Sequence, residues 1–245
     1  MVILFAPSEG KRPGGTGEPL CPGSLLFPEL YSRRLEMIRL YEAVVSLGDE
    51  TALSELFGLK DAGEFDRYKV PFAQAATMKA ILRYDGVAYD YLDYPTLDPY
   101  AQEYVDRHVI VFSNLFGPIG AGDSIPDYKL KQGSAIGEAA PETFYRREFT
   151  EALDELIGER EVLDIRAGFY DKFYVPKNRP VTMKFLKEGK ALSHWAKAYR
   201  GKVLRQAAIS RPESVDELLS LDIEGLKLEE IRETKKSKEI VYSIC

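Results

Sequence analysis

Apolar residues along the chain fall into two patterns. Continuous β-branched and aromatic runs occur at VILFA (2–6), VIVFS (109–113), EVLDI (161–165), VTMKFL (181–186) and EIVYSI (239–244). Runs of this kind predict strands covered on both faces. Between them the apolar positions recur at helical spacing, predicting helices over 29–47 (stopped by Gly48), 72–84 (stopped by Asp85-Gly86), 99–107, 142–157 and 193–209, with a small acidic helix at 213–221. Residues 51–68 read as a turn of helix, then Gly58-Leu59-Lys60, then a short helix carrying Ala62, Phe65 and Tyr68, a helix-hairpin-helix pattern. VAYDYLDYP reads as a strand or a short turn, with tyrosines that either pack beneath a helical layer or stack on bases. Strands and helices interleave without repeats or a linker. The fold class expected is therefore mixed α/β (α+β), a single compact domain over 1–245 whose sheet is covered by helices.

Two polar segments follow predicted strands. The first strand leads into PSEGKRPGGTGEP, where Ser8, Glu9 and Lys11 stand in a glycine-rich loop. Such a loop can hold an anion on backbone N–H groups and one ammonium. It is not a P-loop, since Gly10-Lys11 lacks the earlier glycine and no Ser or Thr follows Lys11. The second segment starts at Ser113 and Asn114 and continues through SNLFGPIGAGDSIPDYKLKQGSAIG. The carboxyl end of a buried strand is where open α/β sheets bind ligands, and a structural turn is the other reading.

Charge changes the picture most. From Lys172 to Arg211 there are eleven Lys or Arg residues and one acid, Glu188, a balance of +10 in a chain whose total is −6, which leaves −16 for all other residues. Segregation of this kind suggests a surface built for a polyanion. A lysine-solvated strand and helix would look similar. Within the predicted helix Trp195, Tyr199, Val203 and Ala207 share one side, Lys197, Arg200 and Leu204 the other, with His194 and Arg205 flanking the basic side. Ser193 suits an N-cap and Pro212 a stop. The single tryptophan is expected in the core. Gly201, costing ~1 kcal/mol relative to Ala in mid-helix, points to close approach of another backbone or a ligand. Candidate phosphate contacts are Lys177, Arg179, Lys197, Arg200, Lys202 and Arg205.

Composition excludes several classes. No apolar run approaches the ~20 residues of a membrane span, and MVILFAPSEG reads as a first strand and not as a signal peptide. A cytosolic protein is expected. Cys21, Cys245, His108 and His194 have no ligand spacing, so neither a disulfide framework nor a metal site is expected, and nothing calls for a cofactor.

With these segments assigned, the chain resembles the YaaA family of bacterial peroxide-stress-resistance proteins. The resemblance is carried in order by ILFAPSEGK, YDGVAYDYL, FSNLFGPIGAGDSIPDYKLKQG, LDIRAGFYDKF and SHWAKAYRGKVLRQ, and so spans nearly the full length. It implies a cytosolic protein with a family-specific α/β fold, a positively charged cleft including Lys197, Arg200 and Lys202, and a DNA-binding hairpin at Phe57-Gly58-Leu59-Lys60. It also implies binding of double-stranded DNA and a link to lower free iron and less DNA damage under peroxide. APSEGK departs from the SPAKT-like start of many members, and GPIGAGD replaces a longer arginine-containing turn.

Two classes of function remain. One is a non-catalytic binder of duplex DNA that uses the +10 segment. The other is an enzyme on a nucleotide or phosphorylated metabolite, with Ser8, Lys11, Ser113 and Asn114 converging at strand ends beside Lys197. Either leaves room for a small-molecule ligand.

Overall fold

A computed structural model describes residues 1–191, 195–235 and 237–245. In chain order the strands are β1 (Val2–Phe5), β2 (Gly10–Lys11), β3 (Thr77–Lys79), β4 (Tyr84–Asp85), β5 (Val109–Ser113), β6 (Gly117–Gly120), β7 (Ser124–Pro126), β8 (Val162–Asp164), β9 (Val181–Lys187), β10 (Lys190–Ala191), β11 (Leu226–Glu233) and β12 (Lys238–Ile244). The helices are α1 (Tyr31–Leu47), α2 (Glu50–Phe57), α3 (Ala80–Arg83), α4 (Val87–Leu92), α5 (Pro99–His108), α6 (Pro141–Ile157), α7 (Trp195–Ser210) and α8 (Val215–Leu219).

The main sheet has the order β11-β12-β9-β8-β1-β5-β6, with β10 paired to β9. Its five central strands, β12, β9, β8, β1 and β5, run parallel, and β11 and β6 flank them antiparallel. Every residue of β1 and β5 is buried. Successive side chains of a strand point to opposite faces, so burial of all of them means that both faces of the sheet centre are covered. The continuous apolar runs are thus explained, and the mixed α/β fold expected from them is present.

Topology fixes where a ligand can sit. Strand β1 leads to β5 on one side of it, whereas β8 leads to β9 on the other. The chain therefore diverges between β8 and β1, and the crevice beyond their carboxyl ends is the switch point of a doubly wound sheet.

Helix α7 packs on α4, α5 and β9. Gly201 makes the contact with α4 possible, since a Cβ there would stand 2.2 Å from the Ala88 carbonyl oxygen and 2.9 Å from Tyr91 Cβ. The close backbone approach expected at this glycine is thus met by another helix.

Four local expectations need correction, and one strand is unforeseen. Residues 72–84 are not one helix: Thr77–Lys79 pairs antiparallel with Ser124–Pro126, Gly17 bridges Thr77, and only Ala80–Arg83 is helical. VAYDYLDYP is neither strand nor simple turn but helix α4 and a 3₁₀ turn at Tyr94–Thr96, with Tyr84, Tyr89 and Tyr94 packed inside. Trp195 is not in the core; it is 56% exposed. The buried residues of α7 lie on both expected sides, Tyr199, Val203 and Ala207 on one and Leu204 on the other, because the helix is held between neighbours. Finally, the segment at 226–233 forms an unforeseen edge strand, β11, whose residues are mostly exposed.

The expected hairpin is present. Helix α2 ends at Gly58 in the left-handed region (φ 68°), where its N–H reaches the Ser54 carbonyl at 2.8 Å. The second element is a 3₁₀ helix, Ala62–Tyr68, capped by the Asp61 carboxylate on Gly63 N–H at 2.9 Å. No helix among the described residues is long and apolar enough to cross a membrane. Ser193 and His194 lie outside the described residues.

Candidate ligand cavity and basic surface

At the β8/β1 switch point lies a cavity of about 440 Å³. Its floor is the segment leaving β1, from Phe5 to Gly10. One wall is the exit of β8, with Ile165, Ala167 and Tyr170. The opposite wall is Asp85–Tyr89 at the start of α4, and α7 closes it with Lys197 and Arg200.

Two glycines bring the floor and the α4 wall together. A Cβ at Gly10 would stand 2.6 Å from the Asp85 carbonyl oxygen, and one at Gly86 (φ 143°) 2.7 Å from Ser8 Oγ. Strand β2 pairs with β4 in this contact, and Ser8 Oγ donates to the Asp85 carbonyl at 2.5 Å.

The two cations of the cavity differ in setting from most others in the protein. Lys197 is exposed and Arg200 half-buried, and among the described residues neither has a hydrogen bond or an ion pair. Burial lowers the Arg200 pKa, an effect partly offset by the charge of Asp164. Asp164 is itself committed to Arg166, whose Nε and Nη2 donate to its carboxylate at 2.9 and 2.6 Å while Nη1 reaches the Tyr170 carbonyl at 3.0 Å.

The catalytic candidates are distributed as follows. Ser8 lines the cavity. Lys11 is buried, its Nζ 4.2 Å from the centre of the Tyr128 ring and 3.3 Å from the Ser8 carbonyl oxygen. Desolvation, then the nearby Lys129 charge, lowers its pKa to about 7, against the smaller pull of Asp127 and Glu9. Ser113 serves the turn after β5: its Oγ accepts from Leu115 N–H at 3.2 Å and Phe116 N–H at 2.9 Å and bonds the Tyr128 hydroxyl at 2.8 Å. Asn114 lies beneath the cavity, accepting from the Tyr170 hydroxyl at 3.2 Å. Asn114 therefore reaches the cavity only through Tyr170, whereas Ser113 and its partner Tyr128 do not line it.

A second, more open depression of about 780 Å³ is lined by the cations Arg146, Lys172, Lys177, Arg179 and Lys235, together with Asp164 and Asp171. Both hollows take a residue from the end of β8, Asp164 lining one and Ile165 the other. Lys202 and Arg205 are engaged elsewhere. Lys202 pairs with Glu224 at 3.7 Å, and Arg205 donates to the Leu92 and Asp93 carbonyls at 2.8 and 3.0 Å. Arg179 is paired with Glu233.

In the hairpin, Phe57 is fully buried, Leu59 half-buried and Lys60 exposed. A Cβ on Gly58 would meet the Lys131 side chain at 2.8 Å.

Residues 1–232 match the family described as peroxide stress protein YaaA. The chain belongs to that family. It is 45% identical to an uncharacterized protein of Campylobacter jejuni, with 100% of this chain and 99% of that protein aligned. It is 34% identical to a UPF0246 protein of Streptomyces coelicolor (89% and 88% aligned) and 36% identical to one of Corynebacterium efficiens (87% and 87%).

Of the residues singled out in the sequence, Ser8, Lys197, Arg200 and, within VAYDYLDYP, Tyr89 line the cavity, as do Gln132, Ala167 and Tyr170, which were not singled out. The available signal was the pair Gly10 and Gly86, small residues that mark close backbone approach. Among the described residues no group of three or more His, Cys, Asp or Glu could hold a metal. His108 is structural, its Nδ1 bonded to the Met1 carbonyl at 2.8 Å and its ring stacked on Tyr104.

Proposed function

We propose that this peroxide stress protein binds duplex DNA through phosphate contacts on the basic surface joining the two hollows. Lys197 and Arg200 sit at one end and Lys172 and Lys177 at the other. The observation that carries the reading is that Lys197 and Arg200 are unpaired among the described residues while other cations of the same helix, Lys202 and Arg205, are neutralised internally. A half-buried guanidinium without an anion is costly unless a ligand supplies one, and phosphate fits its planar fork. Contacts of this kind fix position and not sequence.

The reading also gives a physical route to protection. A protein that neutralises DNA phosphates releases the cations condensed there, ferrous ions among them, so the covered DNA holds less metal with which peroxide can react. The hairpin contributes little to it, because the Asp61 carboxylate already occupies the head of its second helix.

Salt titration of fluorescent-duplex binding tests the proposal, with folding of each variant checked by circular dichroism. A Lys197→Ala, Arg200→Ala double variant should weaken binding alike on unrelated sequences and flatten the log–log salt dependence by up to ~2 units, given ~0.9 per phosphate contact. An unchanged affinity and slope would defeat the reading.

A further inference from the structure

We propose that the cavity between β1, β8, α4 and α7 is a binding site for a single nucleotide unit, with its phosphate on Arg200 and Lys197 and its base against the apolar wall. The inference shares two cations with the duplex reading but rests on the enclosed hollow behind them.

Three features of the cavity select this ligand class. The first is its cationic end, where two positive groups from one helix turn, unpaired among the described residues and one of them half-buried, face the hollow. A guanidinium and an ammonium side by side suit a phosphate. The second is the apolar wall made by Phe5, Val87, Tyr89, Ile165 and Tyr170. The Tyr89 hydroxyl donates to the Ala6 carbonyl at 2.9 Å and that of Tyr170 to Asn114 Oδ1 at 3.2 Å, so neither has its proton free for a ligand and each meets the hollow chiefly through its ring. Such a wall suits a flat heterocycle; a sugar phosphate alone would lose its hydroxyl partners there. The third is the polar edge, where Glu9, Asp85 and Gln132 lie in the same cavity as the two cations. Glu9 is paired with Lys129 at 3.4 Å and accepts from Gln132 N–H at 2.9 Å, and Asp85 is paired with Arg12 at 3.7 Å; the lone pairs these contacts leave can accept hydrogen bonds from the ring or exocyclic N–H groups of a base. A ligand with an anionic group, a flat ring and amine donors satisfies all three.

The hollow is also built and not incidental. Two glycines that allow its floor and wall to meet, Gly10 and Gly86, stand where a Cβ would collide with Asp85 and Ser8. Its position at the strand switch point is where doubly wound sheets bind ligands.

A free nucleotide and an unpaired nucleotide within a DNA strand present the same chemistry. Isothermal titration with nucleoside 5′-monophosphates, the matching nucleosides and inorganic phosphate addresses the first source. A duplex carrying 2-aminopurine opposite an abasic site, whose fluorescence rises when the base leaves the stack, addresses the second. Two cavity-filling variants, Ala167→Phe and Val87→Trp, leave the cations in place. The expected result is binding in at least one arm, about tenfold or more tighter for the nucleotide than for nucleoside or phosphate alone, and weakened about tenfold by either filling. Duplex affinity and its salt slope should not change in those variants, which separates this proposal from the duplex reading. A response in one arm alone identifies the source. No binding in either arm, phosphate binding as tight as the nucleotide, or binding undiminished by both fillings would overturn the proposal.

Discussion

The Lys11 ammonium lies 4.2 Å from the centre of the Tyr128 ring and, among the described residues, has only the carbonyls of Ser8 and Glu9, at 3.3 and 3.5 Å, as hydrogen-bond acceptors. Burial without a paired carboxylate is why its pKa falls to about 7. A lysine whose folded pKa lies below its unfolded value binds fewer protons in the folded state between those two values, so stability rises with pH across that window. Below pH 7 the amine is charged in both states and its full burial cost is present. The effect is worth ~1.4 kcal/mol per unit of displacement. Denaturant unfolding at pH 6 and pH 9 should therefore show wild type gaining stability relative to Lys11→Met, which cannot titrate. Parallel pH profiles for the two proteins would show that the ammonium is not desolvated.

Arg34 supports the turn that follows β5. It is fully buried, and its guanidinium donates to the carbonyls of Phe116, Phe27 and Pro118 at 3.0, 3.3 and 2.5 Å while lying 4.6 Å from the Phe149 ring centre. Desolvation lowers its pKa to about 10, so it remains charged at neutral pH. Arg34→Ala takes this donor from the Phe116 and Pro118 carbonyls, while Phe27 keeps Leu30 N–H at 3.0 Å, and should cost about 2 kcal/mol or more. Arg34→Lys keeps the charge but loses the fork, and its loss should be intermediate. Chemical denaturation ranks the three proteins, and equal midpoints for Lys and Arg would refute the role assigned to the fork.

Gly201 joins local cost to function. Replacing it by Ala removes a helix penalty of ~1 kcal/mol, yet the new methyl would overlap the Ala88 carbonyl, 2.2 Å away. Backbone cannot rotate aside as a side chain can, so overpacking of ~1–3 kcal/mol or more should win. Gly201→Ala is expected to be less stable in thermal unfolding and, because α7 must shift against α4, weaker in duplex binding. A variant as stable as wild type would show that the two helices separate freely.

What could be read from the chain divides along physical lines. The parallel centre was legible because Val2–Phe5 and Val109–Ser113 are buried on both faces and therefore apolar at every position. Residues 72–84 were not, since AQAATMKAILRY is good helix sequence, and only pairing of Thr77–Lys79 with Ser124–Pro126 overrides that preference. Strand β11 was missed because LKLEEIRE is an exposed edge with little apolar signal. At the site, local charge pointed to Lys197 and Arg200. It could not tell them from Lys202 and Arg205, whose carbonyl partners Glu224 and Asp93 lie 22 and 112 residues away in sequence.

That distinction yields the last prediction. Lys202 Nζ reaches the Glu224 carbonyl at 3.4 Å, and Arg205 donates to Leu92 and Asp93 at the carboxyl end of α4, where a cation favours the helix dipole. These two charges hold α7 to its surroundings. Lys172 and Lys177, by contrast, are exposed in the basic hollow. A Lys202→Ala, Arg205→Ala variant should therefore melt at lower temperature while its salt slope for duplex binding changes by less than ~1 unit. A Lys172→Ala, Lys177→Ala variant should melt as wild type does and lose up to ~2 units of slope. Charge removed is the same in both, so a long-range effect of net charge would flatten the two slopes equally. The reverse pattern, with the slope lost at Lys202 and Arg205 and kept at Lys172 and Lys177, would move the DNA surface to the opposite side of α7.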